Sequence, residues 1–150
     1  MSRLVYFVVL LNFCSTLIAE EFCDKAYWDA SLVIEEEKCR NIAELGNDDA
    51  QFGYGLILLS GHNRASNPIE AFEWFNKSAK QGNHLAQTIL GRMLSDSRFG
   101  VPLNLPNAYA WWAVSKNTKS ANELWLRMTF EQQEEAKELE KKYASVFFRK

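Results

Sequence analysis

Two histidines, three cysteines and one run of three glutamates are the first places to look for bond chemistry in this 150-residue chain. His62 falls in a turn and His84 follows a helix cap, and neither has a Cys, Asp or Glu beside it at metal-ligand spacing. Each is expected on the surface or in a cap. Glu35, Glu36 and Glu37 could form an acid pair or a cation site, but consecutive helical positions point in different directions, so a solvated face explains them. Ser60-Gly61-His62 lacks the preceding strand that a nucleophile elbow needs. Asn76-Lys77-Ser78 fits a glycosylation sequon that falls inside a helix. No catalytic residue, metal ligand or cofactor is assigned from these side chains, and the chain is expected not to be an enzyme.

The cysteines carry a different chemistry. Residues 1–19 read as a secretory leader: Arg3, an apolar run from Leu4 to Leu11, then a more polar stretch ending at Ala19. Asn12, Ser15 and Thr16 interrupt the run short of the ~20 apolar residues that span a bilayer. Lipidation at Cys14 is the weaker alternative, because Phe13 stands where a small residue is wanted. Cleavage after Ala19 removes Arg3 and Cys14, leaving 16 basic against 19 acidic side chains, a net charge of −3, and no membrane attachment. Cys23 and Cys39 then enter an oxidising compartment as a pair, and a disulfide between them is the expectation. An intermolecular bond or free thiols are the alternatives. Sixteen residues of unbroken helix would hold them about 24 Å apart, so the bond requires a chain reversal between them, placed near Asp29–Ser31. The resulting location is periplasmic or secreted.

The elements that position these residues are helical. A chain with 47% hydrophobic and 24% charged residues and a net charge of −2 is globular and offers no basic footprint for nucleic acid. Strand alternation and hairpin turns are absent. Asn67-Pro68-Ile69-Glu70 and Thr129-Phe130-Glu131-Gln132 are helix starts with a capping residue and an acidic or amide residue behind it. After the second, Ala136, Leu139, Tyr143 and Val146 recur at helical spacing, and Glu138 with Lys142 makes an i,i+4 pair. Gly46-Asn47 and Gly82-Asn83 each end one helix and cap the next.

Those two dipeptides begin an internal repeat. Ala50-Gln51 returns as Ala86-Gln87, Gly55 as Gly91 and Leu58 as Leu94; after one extra loop residue, Asn67 matches Asn104, Ala71 matches Ala108, and Trp74-Phe75 match Trp111-Trp112. Ala and Gly let helix backbones approach, and the bulky pair is expected to fill the groove between successive hairpins. Ala86-x-x-x-Leu90-Gly91 followed by Gly100-Val101-Pro102-x-Asn104-x-x-x-Ala108-x-x-Trp111-Trp112 resembles the pattern of the Sel-one-like repeats, relatives of the tetratricopeptide repeats, over residues 46 to about 146. Met128-Thr129-x-Glu131-Gln132 is similar to the start of the closing helix of such arrays. The first repeat departs from the pattern, with His62-Asn63-Arg64-Ala65 in place of the Gly-Val turn and Tyr54 in place of Leu, and Lys116-Asn117-Thr118-Lys119 replaces the small-residue ending of the second.

The expected fold is therefore all-α: a short α-solenoid of antiparallel helix pairs, with a leader at 1–19, a disulfide-stapled N-terminal cap at 20–45, repeats at 46–81 and 82–118, and C-terminal capping helices at 119–150. Two repeats bury their faces poorly alone, so the helix carrying Val33, Ile34, Ile42 and Ala43 and the helix after Thr129 must seal the ends. The resemblance implies an adaptor that binds a protein partner, as a monomer or weak dimer. Phe52, Leu56 and Leu59 form an apolar stripe whose counterparts, Thr88, Arg92 and Ser95, are polar; the stripe is covered by the N-terminal cap or by a partner. With Gln87, Arg92 and Arg98 it makes the candidate partner-binding surface. The alternatives are an immunity-type inhibitor that neutralises a toxin or hydrolase in the periplasm, and a small envelope hydrolase.

Overall fold

Asparagine starts five of the helices by the same local chemistry. Its side-chain oxygen accepts an N–H that the first turn leaves without an intrahelical partner: Asn47 from Ala50 at 2.7 Å, Asn67 from Glu70 at 3.2 Å, Asn83 from Ala86 at 3.0 Å, Asn104 from Asn107 at 3.0 Å and Asn117 from Ser120 at 3.4 Å. Thr129 and Gln132 close a reciprocal capping box at 3.0 and 3.3 Å. The computed structural model describes Cys23 and residues 33–61 and 65–147. The leader, Cys14, His62 and the reversal near Asp29–Ser31 lie outside the described residues.

Among the described residues run α1 (Val33–Glu44), α2 (Asp48–Ser60), α3 (Pro68–Lys80), α4 (His84–Ser95), α5 (Leu105–Val114), α6 (Thr118–Trp125) and α7 (Phe130–Phe147), with a 3-10 turn at Ser97–Phe99. The described residues contain no strand. α2 pairs with α3 and α4 with α5; α3 lies against α4 and joins the two hairpins. α1 covers α2 at one end, and α7 packs along α5 at the other.

The repeat is physical as well as textual. The backbone N–H of Asn67 donates to the Leu58 carbonyl at 2.8 Å, and that of Asn104 to the Leu94 carbonyl at 2.9 Å, so each hairpin closes through the same bond. A Cβ on Gly55 would lie 2.7 Å from the Phe75 ring, and one on Gly91 2.5 Å from the Trp112 indole. Each glycine is where it is because an aromatic ring rests on the helix backbone there. The indole of Trp112 also donates to the Thr88 carbonyl at 3.1 Å. Trp74 meets Tyr54 edge-on at 5.4 Å. Trp74, Phe75 and Trp112 thus meet the leading helix of their own hairpins, a contact that the expectation of a groove between hairpins did not include, whereas Trp111 stacks on Tyr143 of the following unit.

Left-handed backbone ends α1 at Gly46 (φ 98°) and α3 at Gly82 (φ 105°), one residue before the capping Asn in each case. Lys116 takes the same place before Asn117 with φ 63°, a conformation that costs a side-chain-bearing residue about 1 kcal/mol or more. Lys116→Gly is expected to raise the unfolding free energy by about 1 kcal/mol, read by urea denaturation; an unchanged or lower midpoint would contradict this account of the third junction.

Two details of the C-terminal helix differ from expectation. Val146 is 63% exposed, because α7 rests on α5 along a narrow seam through Ala136, Tyr143 and Phe147, leaving Val146 to one side. Glu138 pairs with Lys141 at 2.8 Å, not with Lys142. At the other end Cys23 and Cys39 are disulfide-bonded, Cα atoms 5.1 Å apart, and Cys23 packs against α2 at Gly53, where a Cβ would lie 2.5 Å from its own.

Candidate functional site

The residues expected to meet a partner do not gather into one exposed surface. Phe52, Leu56 and Leu59 are partly buried and packed on the core, with the Phe52 ring tilted 5.8 Å from Phe75. Phe52 thereby meets α3, and all three side chains are partly covered within the chain. Gln87 is the clear correction. It is 1% exposed and donates its side-chain amide to the Ala79 carbonyl at 3.1 Å, as Gln51 does to Ala43 at 3.2 Å. A carbonyl at the end of one helix needs a donor that the helix does not supply, and a Gln one turn into the next helix supplies it.

Arg92 is exposed, its guanidinium 5.9 Å from the centre of the Phe99 ring. Arg98 is exposed but engaged, with its Nη2 2.6 Å from the Asp96 carboxylate. The side-chain hydrogen bond from Arg98, helped by its backbone N–H, holds the Asp96 carboxyl down at about 2. This interaction is complete above the ordinary carboxyl value of about 3.9 and disappears as pH falls through about 2. A carboxyl-carbon NMR titration should place the Asp96 midpoint near 2, and Arg98→Ala should return it toward the usual range. A normal midpoint in the parent protein would contradict the pairing.

Among the described residues no group of three or more His, Cys, Asp or Glu is placed to hold a metal ion. His84 is exposed at the first position of α4, Glu36 is half-buried and Glu37 exposed on α1, and Ser78 of the sequon is fully buried, donating its hydroxyl to the Asp48 carbonyl at 2.7 Å. No described helix is long and apolar enough to cross a membrane.

A recess the sequence did not announce lies where α3, α5 and α7 meet. This groove has a volume of about 500 Å³; Trp111, Tyr143, Val146 and Phe147 give it an apolar wall, and Asn76, Lys80 and Lys142 give it a polar edge. Trp111 is 3% exposed and stacks on Tyr143 with centroids 4.3 Å apart, while Phe147 closes on it from 6.2 Å. Burial pushes the Tyr143 hydroxyl above its ordinary value, and the hydroxyl donates to the Asn107 side-chain oxygen at 2.7 Å. That bond fixes the ring that forms the wall. The ionisable side chains of the lining are Lys80, Lys142 and Tyr143. The lining residues come from three helices spread across some seventy positions of sequence, so no local pattern could have revealed them.

Residues 48–83 and 84–115 each match the Sel1 repeat. No curated protein matches the chain. Among solved structures the chain is similar to a protective antigen present in uropathogenic Escherichia coli strains and displaying an SLR fold, with a TM-score of 0.70 and 27% identity over 77% of this chain. That alignment spans only 27% of the antigen, so this chain corresponds to about a quarter of it.

Proposed function

Because the chain carries two Sel1 repeats, which are generally protein–protein interaction modules, we propose that it is an exported adaptor that acts by binding a protein partner. The observation that carries this reading is the pair of equivalent hairpins, α2–α3 and α4–α5, closed by the same bonds and the same glycine–aromatic contacts. Gln51, Ser78 and Gln87 are buried and donate to the carbonyls of Ala43, Asp48 and Ala79. Export is supported by the leader-like residues 1–19 and by the Cys23–Cys39 disulfide, a bond that persists where thiols oxidise.

Expression of the full tagged chain in a bacterium with a periplasm tests both parts. The exported product should begin at Glu20 by mass spectrometry, carry the disulfide, and retain one protein partner at fixed stoichiometry. A product found reduced in the cytosol, or one that retains no specific partner, would overturn the proposal. An immunity-type inhibitor is the narrower form of the same reading; it requires the partner to be a toxin or hydrolase whose activity falls in proportion to the complex formed.

A further inference from the structure

We propose that the groove between α3, α5 and α7 receives a short acidic segment of the partner that carries a large apolar side chain. The inference rests on the protein-binding reading and assigns that binding a place and a chemistry. Three observations carry it. First, the wall is aromatic: Trp111 stacks on Tyr143 and meets Phe147, and Val146 stands 63% exposed beside them. A surface of this kind gains most from an aromatic or branched aliphatic anchor.

Second, the edge is cationic against the trend of the molecule. The chain has a net charge of −2, yet the groove is lined by Lys80 and Lys142 and by no acidic residue. Exposed lysines of α7 elsewhere are paired, Lys137 with Glu134 and Lys141 with Glu138, each at 2.8 Å, whereas neither Lys80 nor Lys142 is in an ion pair among the described residues. Lys80 lies in the last turn of α3, where a cation also suits the helix dipole; Lys142 lies inside α7 and has no such reason to be there. Third, Asn76 brings an amide with both donor and acceptor to the same edge, which matches the N–H and C=O of a peptide backbone. Two cations and an amide around an apolar wall fit carboxylates on a peptide that also offers an apolar side chain; a basic segment is repelled.

Fluorescence anisotropy of a labelled hexapeptide, Asp-Glu-Phe-Leu-Asp-Glu, tests the fit on the full mature chain. Binding in the range of ~10–100 μM is expected, weakened at least tenfold when the acids are replaced by their amides (Asn-Gln-Phe-Leu-Asn-Gln). Both lysines are exposed, so Lys80→Glu with Lys142→Glu should leave the chain folded, with a melting temperature lowered by a few degrees at most, and abolish the preference for the acidic peptide; Lys80→Gln with Lys142→Gln serves if charge reversal impairs folding. Equal affinity for acidic and amide peptides, indifference to both pairs of substitutions, or wild-type self-association lost on charge reversal would overturn the assignment, the last by making a second copy the occupant. A protein partner captured equally well by the charge-reversed variant overturns the groove alone, and the protein-binding reading stands; absence of any specific partner overturns that reading itself.

Discussion

Phe75→Ala is expected to lower the unfolding free energy by about 3–5 kcal/mol, the range for emptying an aromatic site in a core that does not collapse. Phe75 is fully buried. Its ring lies over the backbone of α2 at Gly55 and beside Phe52, so alanine leaves a void whose floor is main chain and does not move in to fill it. For a protein of this size the loss amounts to roughly 10 °C in melting temperature, followed by circular dichroism. A loss below about 1 kcal/mol would mean that the ring is not the keystone of its hairpin. Trp112, at the equivalent place over Gly91, is only half-buried, and its truncation should cost less.

Removal of the disulfide is expected to cost about 3 kcal/mol, the value for a loop of this length under the chain-entropy account. The effect has a location. Cys39 is fully buried on α1, and α1 packs chiefly on α2, so opening the bond frees the end of the solenoid first. Dithiothreitol should lower the melting temperature of the parent protein by several degrees and leave that of the Cys23→Ala, Cys39→Ala variant unchanged. Insensitivity of the parent to reductant would show that the staple adds nothing to the cap.

Helix starts were legible because capping chemistry is local. Asn47, Asn67, Asn83 and Asn104 announce themselves within four residues, and Thr129 with Gln132 does the same. The repeat was legible because Gly55 and Gly91, each under an aromatic ring, sit at a fixed spacing. What escaped depends on partners distant in sequence. Gln87 reads as a surface residue until the Ala79 carbonyl behind it is seen; its sequence signal was the matching Gln51, an amide held at the same repeat position beside the same alanine. The direction in which Phe75 and Trp112 point, into their own hairpins, is set by the hairpin crossing and not by residue type. Val146 fits the helical spacing of the α7 stripe, but α7 rests on one helix where a deeper solenoid would offer two, so the buried seam is narrower than the apolar pattern. The groove required α3 and α7 to be brought together across α5, which no single stretch of sequence records.

Coupling of the two hairpins into one body is tested most directly by native-state hydrogen–deuterium exchange on Phe75→Ala. Amides of α4 and α5 should lose protection together with those of α2 and α3, because α3 and α4 share the interface that joins the repeats and a short solenoid has too little core for either hairpin to stand alone. Protection lost in α2 and α3 while α4 through α7 keep parental values would contradict this, and would make the chain two independent helix pairs on a string.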